Sequence, residues 1–482
     1  MLRHLRFLGL SALVLGVAFA GSIRSQLAAQ ATAPADPLDT LHFRSIGPAT
    51  MSGRIADLAV YEKNPAVYYV GTAHGGVWKT TSNGATYEAQ FQDMGLISIG
   101  ALAVSQTNPD LVWAGTGESN NRQSTSWGGG VYKSIDGGKT WKLMGLPASY
   151  HINRVVIHPN NDNVVFVAAT GALFGPGGDR GVYKTTDGGA NWKLVLKGDA
   201  DTGANDLVIA AANPNIMFAT LYQRRRTQCC MNGGGPGSGV FKSTDGGENW
   251  TRVEGGLPTG PMGRIAVDTY RASANIVYAL VEAESPAGGG GRGGGGGAAP
   301  AASGTNPTGL YRSDDGGSSW RQVSNVNPRP MYFSQVRVDP SNPDRIYMGG
   351  VGMQMSIDGG RTFQTDAAQA IHDDIHAIWI NPANPNHILI GGDGGVATSY
   401  DMSKTWFQHN NLPLALYYHV SVDMATPYNV CGGLQDNYNW CGPSATRFTR
   451  GILNSDFYQV QGGDGFVVLV DPLNPNIVYS ES

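Results

Sequence analysis

One short pattern recurs along the chain and constrains the fold more than any other feature. Its fullest copy is residues 134–141, Ser-Ile-Asp-Gly-Gly-Lys-Thr-Trp. The glycines allow the positive φ angles of a tight hairpin, and the Asp carboxylate accepts backbone N–H groups within the turn. The Trp then starts the next strand and buries a large apolar surface. We call this pattern the Asp-Gly-Gly repeat. Its central position recurs, with degenerate copies at both ends, at Asn83, Asp136, Asp187, Asp245, Asp315, Asp358 and Asp401.

Each repeat ends a longer unit of short apolar segments. A first strand pattern such as residues 263–267 is followed by an Asn-Pro turn, as at residues 64–65, and by a second strand pattern such as residues 216–219. A third pattern such as residues 239–242 leads into the repeat, and a fourth strand follows the turn. Four sequential strands per unit predict an all-β protein built of four-stranded propeller blades.

The pattern S-x-D-G-G-x-x-W resembles the Asp-box, also called the bacterial neuraminidase repeat. From about residue 42 onwards, the chain is similar to exported bacterial proteins grouped with the sortilin N-terminal propeller, and to xyloglucanase-like glycosyl hydrolases. The resemblance implies a β-propeller. It also implies that the box residues Asp136, Asp187, Asp245, Asp315, Asp358 and Asp401 stabilise the fold, on the face away from the ligand.

The chain divides into segments of different character. Residues 1–31 contain a basic start, an apolar stretch and an Ala-x-Ala sequence, which predicts a cleaved signal peptide and hence a periplasmic or extracellular protein. An uncleaved membrane anchor is the alternative. Residues 32–41 are predicted to be a flexible N-terminal segment, and residues 42–415 to form seven Asp-box units. Within these, residues 285–305 are a Gly/Ala/Pro-rich insertion that we expect to be disordered. Residues 416–482 predict a degenerate eighth blade and the start of a ninth, as in a truncated chain.

Composition excludes some classes of partner. The formal net charge is −4 and only 15% of residues are charged, so we expect neither nucleic acid nor an anionic membrane as a partner. No segment after the signal peptide is apolar enough to span a bilayer, so we expect a mature chain without a transmembrane segment. No cofactor motif is present. Cys431 and Cys441 flank one loop and are candidates for a disulfide, with free thiols as the alternative.

Polar groups are predicted to gather at one face of the propeller. Loops after the second strands are long and polar, and the first strands begin with charged or amide residues that should line the central channel. Carboxylate, amide, Arg and aromatic groups together suit a glycan, a peptide or a partner protein. The candidate ligand-binding residues are Arg54, His74, Glu118, Asn121, Arg122, Trp127, Arg154, Arg224, His376, Asp393, Asp436 and Asp464.

A metal site is a weaker hypothesis. On a strand, His372, Asp374 and His376 would share one face, and two His with one carboxylate could hold a divalent cation. A hydrogen-bonded polar channel is the interpretation that we favour, so no cofactor is predicted.

Catalytic residues are not identified by the sequence. The resemblance to xyloglucanases implies a catalytic Asp before x-Gly-Gly in the first blade, but Ala73 occupies that position; the similar turn at residues 392–395 has its Asp shifted by one. Glu118, Asp393, Asp436 and Asp464 are the carboxylates that a hydrolase would use. We therefore expect a propeller that binds a glycan, peptide or protein without catalysis of its own. The alternatives are a xyloglucanase-like glycoside hydrolase, or an assembly or scaffold factor for exported proteins.

Overall fold

The computed structural model describes residues 44–46, 53–122, 125–283, 306–332 and 335–482. The chain divides into two units, Met1–Ser45 and Ile46–Ser482, and every element below belongs to the second. The predicted signal peptide, the predicted flexible segment at residues 32–41 and the predicted disordered insertion lie outside the described residues. In the described part of the chain, no helix has the length and hydropathy needed to cross a bilayer.

The described residues form antiparallel sheets whose strands follow one another along the chain, and we call the first eight sheets blades 1 to 8. Blade 1 contains β1 (Ile55–Val60), β2 (Tyr68–Thr72), β3 (Val77–Thr80) and β4 (Glu88–Ala89). Blade 2 contains β5 (Ile99–Val104), β6 (Val112–Thr116), β7 (Val131–Ser134) and β8 (Lys142–Gly145). Blade 3 contains β9 (Ile152–His158), β10 (Asn161–Ala169), β11 (Gly181–Thr185) and β12 (Lys193–Leu196). Blade 4 contains β13 (Thr202–Ile209), β14 (Met217–Arg226), β15 (Met231–Gly233), β16 (Gly239–Ser243) and β17 (Thr251–Arg252).

The second half of the described chain continues the pattern. Blade 5 contains β18 (Met262–Thr269), β19 (Val277–Ala283), β20 (Gly309–Ser313) and β21 (Arg321–Ser324). Blade 6 contains β22 (Gln335–Val338), β23 (Ile346–Gly349) and β24 (Gln354–Ser356). Blade 7 contains β25 (Ile375–Ile380), β26 (Ile388–Gly392), β27 (Gly395–Ser399) and β28 (Phe407–Gln408). Blade 8 contains β29 (Tyr417–Val422), β30 (Asn429–Leu434), β31 (Asn439–Pro443) and β32 (Tyr458–Gln461). A 3₁₀ helix (Asn454–Asp456) precedes β32, and β33 (Val468–Val470) pairs with β34 (Val478–Ser480).

The Asp-Gly-Gly repeats form the turns that follow the third strands; a fourth strand comes next in blades 1 to 5 and 7, whereas blade 6 has only the isolated bridge between Met355 and Gln364. In blade 2 the Ser134 hydroxyl donates to Asp136 Oδ1 at 2.8 Å and accepts the Gly138 N–H at 2.8 Å. Asp136 Oδ1 also accepts the Thr140 N–H at 2.9 Å. Gly137 and Gly138 have φ angles of 73° and 93°, a conformation that a side chain at either position would strain. These Ser/Thr-to-Asp and Gly-to-Ser/Thr contacts recur in the repeats of blades 3 to 6.

The aromatic residue of each repeat lies in the apolar core between its own blade and the preceding one. Trp141, for example, packs between blades 1 and 2, and its Nε1 donates to Gln90 O at 2.8 Å. Trp192 packs between blades 2 and 3 and donates to Met144 O at 2.9 Å. Trp320 is buried between blades 4 and 5. The repeat therefore joins the turn within a blade to the packing between blades.

Seven blades close into a ring. The first strand of each packs on that of the next around the series, and β25 of blade 7 packs on β1 of blade 1. The closing core contains Ile55 and Tyr68 from blade 1 and Leu389 and Val396 from blade 7. His376 Nδ1 donates to Ile55 O at 2.9 Å across the same junction. Blade 8 and the β33–β34 pair follow the ring, with their own small core around Cys431, Cys441 and Val468.

The first strands carry polar groups into the middle of the ring. Arg154 Nε donates to Asp206 Oδ1 at 2.7 Å, and its Nη2 donates to Gln335 Oε1 at 2.8 Å. These contacts join blades 3, 4 and 6, so a hydrogen-bonded network crosses the centre. Both cysteine pairs are bonded, Cys431 with Cys441 on the paired strands β30 and β31 and Cys229 with Cys230 after β14.

Candidate functional site

A buried ion network lies where blades 1, 2 and 7 meet. Arg54 directly precedes β1, Glu118 follows β6, and Asp393 lies in the turn between β26 and β27. Arg54 Nε donates to Glu118 Oε1 at 2.7 Å, and Arg54 Nη1 donates to Asp393 Oδ1 at 2.5 Å. All three residues are at most 4% exposed. Burying such a network is costly, and it persists only where each charge has a partner, so it fixes the three loops relative to one another.

Blade 8 contributes to the same network. Arg122 Nε lies 2.8 Å from each oxygen of Glu118, and Arg122 Nη1 donates to Gln435 Oε1. Asn437 Nδ2 donates to Asp393 O at 3.0 Å. The turn between β30 and β31 is therefore bonded to the ring beside the Arg54 network.

Three carboxylates converge at this junction, and we call Asp374, Asp393 and Asp436 the carboxylate cluster. One oxygen from each lies within 4.8 Å of the other two. Asp374 directly precedes β25 and Asp436 lies in the β30–β31 turn, with φ angles of 65° and 58°. Left-handed conformations are unfavourable for residues other than Gly and occur often at functional sites, where the surrounding structure maintains them.

Asp393 is the buried member of the carboxylate cluster. It is 2% exposed, whereas the other two are partly exposed. Burial, and then the neighbouring carboxylates of Asp374 and Asp436, raise the pKa of Asp393 to about 8, although Arg54 acts in the opposite direction. Asp393 Oδ2 is buried and accepts no hydrogen bond from the described residues. At neutral pH Asp393 therefore holds a proton beside two more exposed acidic side chains.

The two histidines of this region differ in charge. His372 Nδ1 lies 2.8 Å from Asp373 O and His372 Nε2 lies 2.9 Å from Asp436 O. Both acceptors are carbonyl oxygens, so both ring nitrogens must carry protons. Burial disfavours that cation, but the two hydrogen bonds and the nearby carboxylates raise the pKa of His372. Burial, and secondarily the Arg54 charge, instead lower the pKa of His376 well below its usual value, so His376 is neutral.

The predicted metal-binding trio does not share a strand face. Strand β25 begins at Ile375, so His372 and Asp374 precede it, and both nitrogens of His372 already contact carbonyl groups. The prediction of a shared face is wrong because the backbone turns at Asp374 before the strand starts. The acidic groups that meet are those of the carboxylate cluster, whose oxygens are the ligand type that Ca²⁺ and Mg²⁺ prefer.

The other sequence-predicted residues lie in four places. Asp464 Oδ1 accepts the Asp436 N–H at 2.9 Å and so lies beside the carboxylate cluster. His74 contacts Ser126 Oγ at 2.6 Å in the loop next to Glu118, and burial is the first cause that lowers its pKa to about 4. Arg154 belongs to the central network instead. The remaining residues, on blades 2 and 4, are Asn121 beside Tyr222, the buried Arg224, and Trp127, which is 67% exposed.

Sequence reasoning missed several contacts of this site. Tyr332 OH accepts a hydrogen bond from Arg54 Nη2 at 3.0 Å, and its ring lies 5.6 Å from the Arg54 guanidinium. Gln435 and Asn437, which bond blade 8 to this network, are not among the residues predicted from the sequence. The spacing of one loop gives no sign of which loop of another blade it will face, because that depends on the closure of the ring.

Comparisons with known proteins agree with this architecture. The Sortilin-Vps10 family model, described as "Sortilin, neurotensin receptor 3", matches residues 129–278. The solved GH74 xyloglucanase of Xanthomonas campestris superimposes with a TM-score of 0.58 at 16% identity, covering 82% of this chain and 60% of that one. The Niastella koreensis GH74 enzyme gives a TM-score of 0.56 at 17% identity, with the same coverage of both chains. The chain is a β-propeller that resembles sortilin-like and xyloglucanase-like proteins.

Curated relatives extend the resemblance at the level of sequence. A xyloglucanase of Paenibacillus sp is 23% identical over 286 residues, which is 54% of this chain and 26% of that protein. A probable oligoxyloglucan-reducing end-specific xyloglucanase of Neosartorya fischeri is 32% identical over 142 residues, 27% of this chain and 15% of that protein. The chain thus spans about a quarter or less of the length of these two relatives. The sortilin-like and xyloglucanase-like resemblance predicted from the repeats is confirmed.

Proposed function

We propose that this propeller binds a polysaccharide over the carboxylate cluster and hydrolyses it with Asp393 and Asp436. One observation carries the proposal: the buried carboxyl group of Asp393, whose pKa burial and the neighbouring carboxylates raise to about 8, lies beside the more exposed carboxylate of Asp436. Glycoside hydrolysis requires such a pair, one group to protonate the leaving oxygen and one to act as base or nucleophile. The xyloglucanase relatives support a polysaccharide as the ligand. The predicted signal peptide supports a location outside the cytoplasm.

Each residue has a distinct role in this proposal. Asp393 donates its proton from Oδ2, because Oδ1 is held by Arg54. Asp436 is the base or nucleophile, and its backbone is held by Asp464 and His372. The cluster oxygens lie within 4.8 Å of one another, closer than the roughly 5–9.5 Å between carboxyl groups in glycosidases. Of the two glycosidase geometries, the retaining one, with about 5–5.5 Å between its carboxyl groups, is nearer to this separation than the inverting one.

A second function, binding without hydrolysis, is favoured by a different observation. The resemblance to xyloglucanases places a catalytic Asp at position 73, and this chain has a fully buried Ala there whose N–H donates to Arg54 O at 3.0 Å. In this alternative the carboxylate cluster orients a ligand through hydrogen bonds or a bound cation, and the exposed Trp127 ring stacks on a sugar.

Turnover assays with purified protein separate the two functions. Xyloglucan and other β-glucans are incubated with the wild type, Asp393→Asn and Asp436→Asn, and products are identified by mass spectrometry. Asp373→Asn is the matched control, because Asp373 is the exposed neighbour of the cluster residue Asp374. Hydrolysis requires products from the wild type and the control, at least 100-fold less from the two variants, and a rate that falls as pH rises above about 8. Saturable binding with no product from any protein would refute hydrolysis and establish the binding function.

A further inference from the structure

Three consecutive arginines end strand β14, and they have different environments. Arg225 forms an ion pair with Asp201 and is partly exposed. Arg226 Nη1 donates to Arg122 O at 2.6 Å. Arg224 is only 1% exposed, and its Nε and Nη2 find no acceptor among the described residues. Strand alternation thus points Arg224 and Arg226 into the protein, and Arg224 is the one of the two whose donors lack acceptors among the described residues.

Other buried arginines of this protein have the partners that Arg224 lacks. Arg54 and Arg154 pair with carboxylates, and Arg180 donates to four backbone carbonyl groups. A buried guanidinium without such partners is strongly unfavourable, because its charge loses hydration and gains nothing in return. Burial, and then the nearby charges of Arg264, Arg180 and Arg226, lower the pKa of Arg224 to about 10, which is still far above neutral pH. Arg224 therefore remains a cation.

A second cation lies next to Arg224. Strand β18 packs on β14 and carries Arg264, which is 3% exposed. Arg264 Nη1 donates to Tyr332 O, whereas its Nε has no acceptor among the described residues. The nearby acidic group, Glu282, uses Oε2 to accept the Arg264 backbone N–H at 2.9 Å, and burial raises its pKa to about 7. Partial protonation of Glu282 leaves the two arginines with excess positive charge.

A neutral polar group also lies near Arg224 and Arg264. Tyr222 is buried, and its hydroxyl accepts a hydrogen bond from Asn121 Nδ2 at 2.9 Å. Buried polar atoms are usually hydrogen-bonded, so the donors of Arg224 and Arg264 that lack acceptors among the described residues indicate that a group rich in acceptors belongs there.

We propose that Arg224 and Arg264 form a binding site for the carboxylate of an acidic sugar, a uronic acid residue within a polysaccharide. A planar guanidinium offers parallel N–H donors that match the two oxygens of a carboxylate. The choice of a sugar acid rests on the proposed polysaccharide function, whereas the binding of a carboxylate does not. Tyr332 connects this site with the carboxylate cluster, because its carbonyl accepts from Arg264 and its hydroxyl accepts from Arg54.

The test measures ligand binding by titration calorimetry and thermal unfolding with sodium D-galacturonate as the probe. Sodium chloride at equal ionic strength and D-galactose are the reference solutes. Arg224→Met removes the cation while keeping an unbranched side chain, and Arg225→Met on the same strand is the matched control. We expect saturable galacturonate binding to the wild type, at least 10-fold weaker binding to Arg224→Met, and less than a 2-fold change in Arg225→Met. Without ligand, Arg224→Met should melt no lower than the wild type, because it loses an uncompensated charge.

Several results would overturn the proposal. One is a wild-type response to galacturonate no larger than that to sodium chloride, and another is equal binding by Arg224→Met. If Arg224→Met fails to fold, galacturonate binding is measured with Arg224→Lys instead. Lys keeps the positive charge but lacks the paired N–H donors, so this variant should still bind 10-fold more weakly than the wild type. Binding of a peptide by its free C-terminal carboxylate, but not of galacturonate, would overturn the sugar assignment. Galacturonate binding that survives in Asp393→Asn supports this site even if the assays of hydrolysis fail.

Discussion

Trp320 offers a direct test of the cores between blades. Its side chain is 6% exposed in the core between blades 4 and 5, and its Nε1 donates to Gly317 O at 3.2 Å. Truncating a buried Trp to Ala costs about 3–5 kcal/mol, a range that includes loss of packing, and a hydrogen bond contributes about 1 kcal/mol net. We expect Trp320→Ala to lower the free energy of unfolding by about 4 kcal/mol, measured from the urea midpoint at an unchanged m value.

The control substitution lies in an equivalent turn. Ile357 occupies the variable position of the blade 6 repeat and is 67% exposed, so Ile357→Ala should change the free energy of unfolding by less than about 0.5 kcal/mol. A loss below about 1 kcal/mol for Trp320→Ala would refute the idea that the repeat aromatic holds neighbouring blades together. A changed m value would instead indicate that the blades no longer unfold as one cooperative unit.

Two further predictions concern charged groups. Asp393 has a folded-state pKa raised from 3.8 to about 8, so its contribution to stability is complete below about pH 4 and is lost as pH rises through about 8. The stability of Asp393→Asn relative to wild type should therefore increase between pH 5 and 7.5, by up to about 1.4 kcal/mol per pH unit, and equal differences at both pH values would contradict the raised pKa. Hydrogen bonds, first from the Asn191 side chain, lower the pKa of Asp187 to about 2. Asp187→Ala should lower the urea midpoint at pH 7 less than Trp320→Ala does, lose its effect as pH falls from about 4 towards 2, and leave ligand binding unchanged.

Much of the fold follows from the repeat because its physics is local. The turn at Asp136 needs only glycines at positive φ and acceptors within the same few residues, so the sequence identifies it without knowledge of the rest of the chain. The number of blades in the ring, by contrast, does not follow from the repeat. Counting repeats does not reveal that blade 7 packs on blade 1, because closure depends on the angle accumulated between successive sheets.

The candidate site was only partly predictable for the same reason. Arg54 was predicted to line the central channel, Glu118 to lie in a loop after a second strand and Asp393 in a turn, and in the structure the three form one buried network. Asp393 and Asp436 meet across two blades, a pairing that the spacing within either loop does not indicate. Glu118 is engaged by two arginines and is therefore a support of the site, where the sequence had left it among the possible catalytic carboxylates.

Ring closure also sets a time scale during synthesis. His376 reaches the carbonyl of Ile55 across a sequence separation of 321 residues, and at translation rates of about 5–20 residues per second the ribosome needs roughly 16–64 s to make that length of chain. Throughout that interval the apolar side of blade 1 that will meet Leu389 and Val396 has no partner, although blades 2 to 6 can already stack on its other side. Until blade 7 is complete, the row of folded blades has an uncovered apolar surface at each end. Both surfaces are buried when blade 7 packs on blade 1.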